Sequence, residues 1–300
     1  MSGPATFAIP PSFLGIERRD RDASVSIAGV PLDIGTTNRS GARFGPAAVR
    51  QASRMLVDGA HPFHWVTPAR SSISDLDDFQ IALGDIPSSL SLIERQASGL
   101  AHLIAIGGEH GITLPLLRSL SKTHGPLALI HFDAHVDTWP DNFGQTYAHG
   151  SVFYHAIEEG LVDPSHVIQV GIRSPVEREI YDWTVAKGVT ILSAQDVQGM
   201  GCPAVAQRIC EIVGTGPCYL TFDIDALDPA FAPGTGTPEV GGLSTWQAQS
   251  ILRCLLDLHF VGMDLVEVSP AYDTAEITAL AGATIVWEYV SLVIRRGGSS

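Results

Sequence analysis

The sequence predicts an α/β protein built on one mainly parallel sheet of about eight strands, with helices on both faces. Three observations carry this. Short apolar runs recur along the 300 residues and have the near-continuous character of strands buried on both sides. Helix-like or polar segments separate them, which is the βαβ rhythm of a covered sheet. Acidic and imidazole side chains stand directly after several of these runs, where ligands bind in such sheets.

In chain order, strands are expected near 25–30, 72–75, 102–106, 127–132, 166–171, 189–192, 218–223 and 260–267. A helix over 47–56 follows the first. It is entered through Gly41-Ala42-Arg43-Phe44-Gly45-Pro46, where Pro46 suits a first helical turn. Helices are further expected over 114–120, 203–213 and 245–258. No linker, repeat or low-complexity tract divides the chain. It reads as one domain, 1–300, with residues 1–24 as an N-terminal extension.

Composition narrows the class. Hydrophobic content of 45% supports a large core, and a net charge of −14 argues against nucleic acid as partner. The same charge is compatible with a cationic substrate. No apolar run looks long enough to span a bilayer, so no membrane partner is expected. Met1 to Ile9 lacks the basic start and apolar stretch of a signal peptide, which leaves the cytoplasm as the expected location. The four cysteines form no Cys-x-x-Cys pair and read as free thiols.

Three segments carry the chemistry. Asp133-Ala134-His135-Val136-Asp137 follows Leu127–Ile130, Asp223-Ile224-Asp225 follows Cys218–Leu220, and Gly107-Gly108-Glu109-His110 follows Leu103–Ile106. Residues two apart on a strand share a face, so the acidic pairs are expected to converge. The glycines are expected to let the chain turn and bring His110 to the same rim. Two His and four Asp are costly to bury without positive charge. Carboxylate and imidazole together suit Mn, and also Zn, Fe or Ni. The absence of thiolate argues against a closed structural zinc site. Six ligands suggest two ions roughly 3.5–4 Å apart, as in two-metal hydrolases. Pro233-Gly234-Thr235-Gly236-Thr237-Pro238 lacks the ending of a phosphate loop and reads as a shaped loop beside the site.

These segments resemble the ureohydrolases, the family of arginase and agmatinase, over nearly the whole chain from Gly29 to about Glu288. Gly-Gly-x-His, Asp-Ala-His-x-Asp and Asp-Ile-Asp-x-x-Asp-Pro carry the resemblance. Thr221–Gly236, Gly262–Asp273 and His149–Tyr154 look most like the agmatinase branch. The resemblance implies an arginase-type three-layer α/β/α sandwich, two Mn²⁺ per subunit, and trimers or hexamers. It implies one metal on His110, Asp133, Asp137 and Asp223, and a second on His135, Asp133, Asp223 and Asp225. Glu267 would bind the substrate guanidinium, and His149 and Asp137 would pass protons. Trp139 and Asp141, on the loop 138–148, are further candidates for substrate contact. Glu109 departs from the family pattern, which has Asp there.

The activity so implied is hydrolysis of agmatine to putrescine and urea. Other guanidino-acid hydrolases of the family are the alternative, acting on guanidinobutyrate, guanidinopropionate or proclavaminate-like substrates. Arginase itself fits less well, because Trp139 and Gln145 stand where arginases carry Asn and Ser. A non-catalytic metal-binding homologue is the reading from another class. Loops 31–45, 138–148 and 174–179 are expected to reach the distal end of the substrate. Arg39 or Arg178 pointing inward would favour a carboxylate tail, whereas Arg43 looks family-wide and discriminates less.

Overall fold

The computed structural model describes residues 9–297. Its centre is an eight-stranded sheet: β1 (Val25–Val30), β2 (Ile73–Asp78), β3 (Leu103–Gly107), β4 (Leu127–Phe132), β5 (Val162–Ile172), β6 (Thr190–Ser193), β7 (Pro217–Asp223) and β8 (His259–Val266). The strand order is β2-β1-β3-β8-β7-β4-β5-β6. Every pair is parallel. The expected strands match in number and place. β5 begins four residues earlier than its apolar run, through the polar stretch Asp163–His166.

Nine α-helices are present among the described residues: α1 (Gly45–Ser53), α2 (Ile86–Ala97), α3 (Thr113–His124), α4 (Val152–Glu158), α5 (Arg178–Ala186), α6 (Ala194–Met200), α7 (Cys202–Val213), α8 (Thr245–Arg253) and α9 (Ile277–Gly297). Alternate strand residues feed two cores. Ile27, Ile104, Ile106, Ile130 and Phe132 pack with α1 and α6–α9 on one face. Ala28, Val30, Ala105, Leu127 and Leu129 pack with α2, α3 and α4 on the other. This period-2 division makes the three layers.

The helix expected over 245–258 stops at Arg253, after which Cys254, Leu255 and Leu258 close three-residue turns onto Ile251, Leu252 and Leu255. α9 is absent from the helices that the sequence pattern predicts. It is apolar on nearly every side, so no stripe of period 3.6 marks it. It also qualifies the expectation of no span-length apolar run. With 21 residues and a mean hydropathy of 1.7 it has the dimensions of a membrane span. However, 67% of that window is buried inside the protein, where α9 packs on α1, α8 and β8. Its buried Glu288 is bonded to His61 Nε2 at 2.9 Å and paired with Arg253.

Residues 9–24 of the expected N-terminal extension pack onto this body. Phe13 and Leu14 are buried, and their amides donate to Asp75 and Ser53 at 2.7 and 2.8 Å. The first eight residues lie outside those described.

Candidate metal centre

The four central strands, β3, β8, β7 and β4, end side by side, and each delivers part of one site. Past β3, a Cβ on Gly108 would lie 2.0 Å from Leu32 O and 2.6 Å from Val30 O. The chain bends here as expected, and the glycine serves close backbone approach rather than left-handed backbone; neither Gly107 nor Gly108 has positive φ. The approach fixes Gly108 N on Val30 O and Glu109 N on Leu32 O. His110 follows, fully buried.

Past β4 and β7 the expected strand alternation does not operate. β4 ends at Phe132 and β7 at Asp223, and Asp225 sits in a short 3₁₀ turn, Ile224–Ala226. Local hydrogen bonds gather the side chains instead. Asp133 Oδ1 accepts the His135 amide at 2.7 Å, Asp223 Oδ1 accepts the Asp225 amide at 2.8 Å, and Asp225 Oδ1 accepts the Ala134 amide at 3.1 Å. Asp137 reaches the cluster with φ of 50°, and Glu267, past β8, with φ of 65°. Left-handed backbone at non-glycine residues costs on the order of 1–3 kcal/mol each and concentrates at functional sites.

The side chains form two groups that share Asp133. His110 Nδ1 lies 3.1 Å from Asp133 Oδ2, 3.1 Å from Asp137 Oδ2 and 3.3 Å from Asp223 Oδ2. His135 Nδ1 lies 3.2 Å from Asp133 Oδ1 and 3.2 Å from Asp225 Oδ2. His/Asp clusters able to hold metal are therefore present.

One observation tests whether the donors fit a cation. His110 Nε2 lies 2.8 Å from Thr221 Oγ1, and that hydroxyl lies 2.5 Å from Asp264 Oδ1. The carboxylate takes the hydroxyl proton, so Thr221 Oγ1 accepts from His110 Nε2–H. The lone pair then sits on Nδ1, which is buried with no hydrogen-bond partner and faces three carboxylate oxygens. Such a lone pair among anions is repulsive until a cation stands between them. Thr113 and Tyr219 also donate to Asp264, at 2.7 and 2.9 Å, holding this support rigid. Sequence reasoning missed Thr113, Thr221 and Asp264; the polarity of Thr221 and Asp264 inside apolar strand runs was the available signal.

The electrostatics agree. Burial, then the charges of Asp225 and Asp133, pushes Asp223 well above the usual carboxylate range. Burial also raises Asp225. Burial works to lower His135, but Asp225 and Asp133 outweigh it and raise it to about 12. Asp133 goes the other way: burial works to raise it, but His131, His110 and His135 hold it well below the usual carboxylate range, so the excess negative charge falls on Asp223 and Asp225.

Beside the cluster is a cavity of about 150 Å³ lined by Thr37, His135, Asp137, Trp139, Asn142, His149, Gly150, Asp223 and Thr237. Glu267 Oε1 accepts the His110 amide at 2.8 Å and contacts His149 Nδ1 at 3.2 Å; its Oε2 is buried without a partner. His149 Nε2 faces the Thr37 hydroxyl at 2.8 Å and, in the neutral ring, accepts from the Thr37 amide at 3.2 Å. Burial works to lower His149, and the bond and charge of Glu267 overcome it, raising it to about 9. Glu109 is fully buried, accepts the Gly35 amide at 2.6 Å, and is pushed up to about 8 by burial and then by Glu267.

Trp139 lines the cavity, with its indole N–H on Glu177 at 2.8 Å. Asp141 does not line it. Its carboxylate is exposed and accepts the Gly144 amide at 2.8 Å, because the tight turn Asn142–Gln145 carries it outward. Asn142, to which the sequence pattern assigns no role, lines the cavity instead. The three arginines point elsewhere: Arg43 pairs with Asp33 at 2.5 Å, Arg39 lies over the Tyr272 ring at 4.9 Å, and Arg178 is exposed and pairs with Asp182 at 2.7 Å.

This fold is that of known proteins. Residues 23–291 match the arginase family. Over 285 residues, 93% of this chain and 90% of the relative, the chain is 45% identical to an agmatinase of Proteus mirabilis. Its structure is similar to that of a hypothetical agmatinase from Burkholderia thailandensis, with a TM-score of 0.91, 42% identity, and coverage of 98% of this chain and 94% of the other. It is also similar to the proclavaminate amidino hydrolase of Streptomyces clavuligerus, with a TM-score of 0.92, 37% identity, and coverage of 98% and 100%. The chain belongs to the arginase family.

Proposed function

We propose that this chain hydrolyses agmatine to putrescine and urea, with two Mn²⁺ per subunit. The observation that carries the substrate is the cavity wall. Asp137 and Asp223 line it, and among the described residues no Lys or Arg does. A methylene chain ending in ammonium fits such a wall better than one ending in carboxylate.

His110, Asp133, Asp137 and Asp223 would hold one ion, and His135, Asp133, Asp223 and Asp225 the other. When bound, the metal pair supplies a water acidic enough to attack a resonance-stabilised guanidinium carbon near neutral pH. The protein does the rest. Glu267 offers its free Oε2 to the guanidinium N–H groups and fixes the plane of the reacting carbon. Both lone pairs of its Oε1 are engaged by His110 N–H and His149, so a paired grip requires His149 to release Glu267. That release frees His149 to protonate the departing amine, with Asp137 positioned to take the proton of the attacking water. Trp139 and Asn142 bound the space around the methylene chain.

The second reading is a guanidino-acid hydrolase, favoured by the structural likeness to the proclavaminate enzyme. A panel separates the two: kcat/KM for agmatine, 4-guanidinobutyrate, 3-guanidinopropionate and arginine in Mn²⁺. A tenfold advantage of any guanidino acid, about 1.4 kcal/mol, overturns the agmatine reading. Chelation is expected to abolish urea release and Mn²⁺ to restore it; full activity in a sample shown metal-free by elemental analysis overturns the metal reading. We further propose a trimer or hexamer, which a monomer mass by light scattering at micromolar concentration would refute.

A further inference from the structure

We propose that His131 is a positioning residue that is locked as a hydrogen-bond donor to the shared carboxylate of Asp133, and that Gln169 sets the lock. His131 is the last residue but one of β4, fully buried, and its side chain lies among the metal-ligand atoms of His110, Asp133 and Asp137. By proximity alone it has the look of a seventh ligand. Its hydrogen bonds exclude that.

Gln169, on neighbouring β5, is paired directly with His131 across the sheet. Its amide nitrogen lies 2.7 Å from Val136 O and 3.1 Å from His131 Nδ1. The opposite amide orientation would place two acceptors 2.7 Å apart at Val136, so the nitrogen belongs where it is. One of its protons goes to Val136 O and the other to His131 Nδ1. His131 Nδ1 is thereby an acceptor, and the ring proton sits on Nε2. That N–H faces Asp133 Oδ2 at 2.7 Å, the same oxygen that lies 3.1 Å from His110 Nδ1. The ring is held against Phe153 in a tilted contact, centroids 4.2 Å apart and planes at 48°.

The consequence is specific. Asp133 is shared between the two donor groups, its Oδ2 facing His110 and its Oδ1 facing His135. A fixed donor on Oδ2 sets the rotation of that carboxylate and so the spacing of both groups. This rests on the two-metal reading for its function, but the proton position can be measured without it.

The test is ¹⁵N imidazole NMR on the full chain, metal-free and loaded with diamagnetic Zn²⁺, joined to Mn²⁺ affinity by equilibrium dialysis. His131 is expected to carry its proton on Nε2 and a lone pair on Nδ1 in both samples. Gln169→Leu is expected to let the proton redistribute between the two nitrogens. His131→Phe, which keeps the ring, is expected to weaken Mn²⁺ binding about 10–100-fold, and His131→Gln, which keeps a donor, to recover much of it. A proton-free, metal-shifted Nε2 in the Zn²⁺ sample makes His131 a ligand and overturns the proposal. So does a folded His131→Phe that binds Mn²⁺ like the parent. If His131→Phe does not fold, the parent spectrum and Gln169→Leu decide. If the parent binds no metal, the two-metal reading fails, while the proton position still decides the lock.

Discussion

Glu267→Gln separates guanidinium binding from everything else the site does. The side chain is 1% exposed, and Oε1 already serves the His110 amide at 2.8 Å and His149 at 3.2 Å. The amide variant keeps one acceptor for the His110 N–H. Its NH₂ must then occupy the place of the free Oε2 and face the guanidinium donors with donors. At least one charge-assisted hydrogen bond is lost, worth about 1.5–3 kcal/mol, and a second weakens. The sum is about 2–4 kcal/mol in transition-state binding, roughly 30- to 1000-fold in kcat/KM. The assay is urea release from agmatine at saturating Mn²⁺, with bound metal measured on the same samples. The expected result is that loss with metal content retained. Turnover within threefold of the parent would refute the assignment of Glu267. Loss of metal together with activity would show that Glu267 supports the cluster and not the substrate.

Three further outcomes are expected. His149, raised to about 9, is protonated below that pH and loses its proton as pH rises through it; kcat/KM should fall on the alkaline side near 9, and His149→Asn should remove that limb while slowing turnover about 10²-fold. His102, buried against the Tyr289 hydroxyl at 3.0 Å, is lowered from 6.5 to about 4 by burial and then by His259. The unfolded chain therefore takes up this proton first, and stability should drop as pH falls from about 6.5 to 4, by about 3 kcal/mol at ~1.4 kcal/mol per pH unit; His102→Gln should flatten that slope in urea unfolding, and an unchanged slope would refute the cause. Asp141→Ala should leave kcat/KM for agmatine within about twofold, because its carboxylate only caps an exposed turn; a tenfold loss would place Asp141 back at the substrate.

Most of the sheet and the His/Asp clusters at its strand ends are legible in the amino-acid sequence, and the reason is physical. Strands buried on both faces leave long apolar runs, so all eight strands can be placed from those runs alone. Candidate metal-holding residues stand out where such runs end, because an acidic side chain there has no structural excuse. What stays hidden is of two kinds. α9 carries apolar side chains around its whole circumference, which erases the periodicity that reveals a helix. The residues behind the site, Thr221, Asp264, His131 and Gln169, lie within strands, where a lone polar residue looks like an interruption until its cross-strand partner is known. Asp141 and Asn142 show a third limit. They are adjacent on one loop, and only the turn geometry decides which faces the cavity.

The construction of the site explains why it sits on this sheet. Asp133, Asp223 and Asp225 crowd their negative charges into a buried volume, and Asp137 and Glu267 add left-handed backbone. Each feature opposes folding, and the amide and histidine contacts around the carboxylates offset it only in part, since Asp223 and Asp225 stay above the usual carboxylate range. The central strands β3, β8, β7 and β4 can carry the cost because each is paired on both edges and covered on both faces. The cluster is thus held open by a scaffold that does not depend on it. Repulsion among the carboxylates is then free to act as affinity for cations. The same logic extends outward from the cluster: Thr221 and Asp264 fix which nitrogen of His110 faces the carboxylates, and the backbone turns after Asp133 and Asp223 fix where those carboxylates point. Rigidity at the back of the site is what keeps the charge at its front in place.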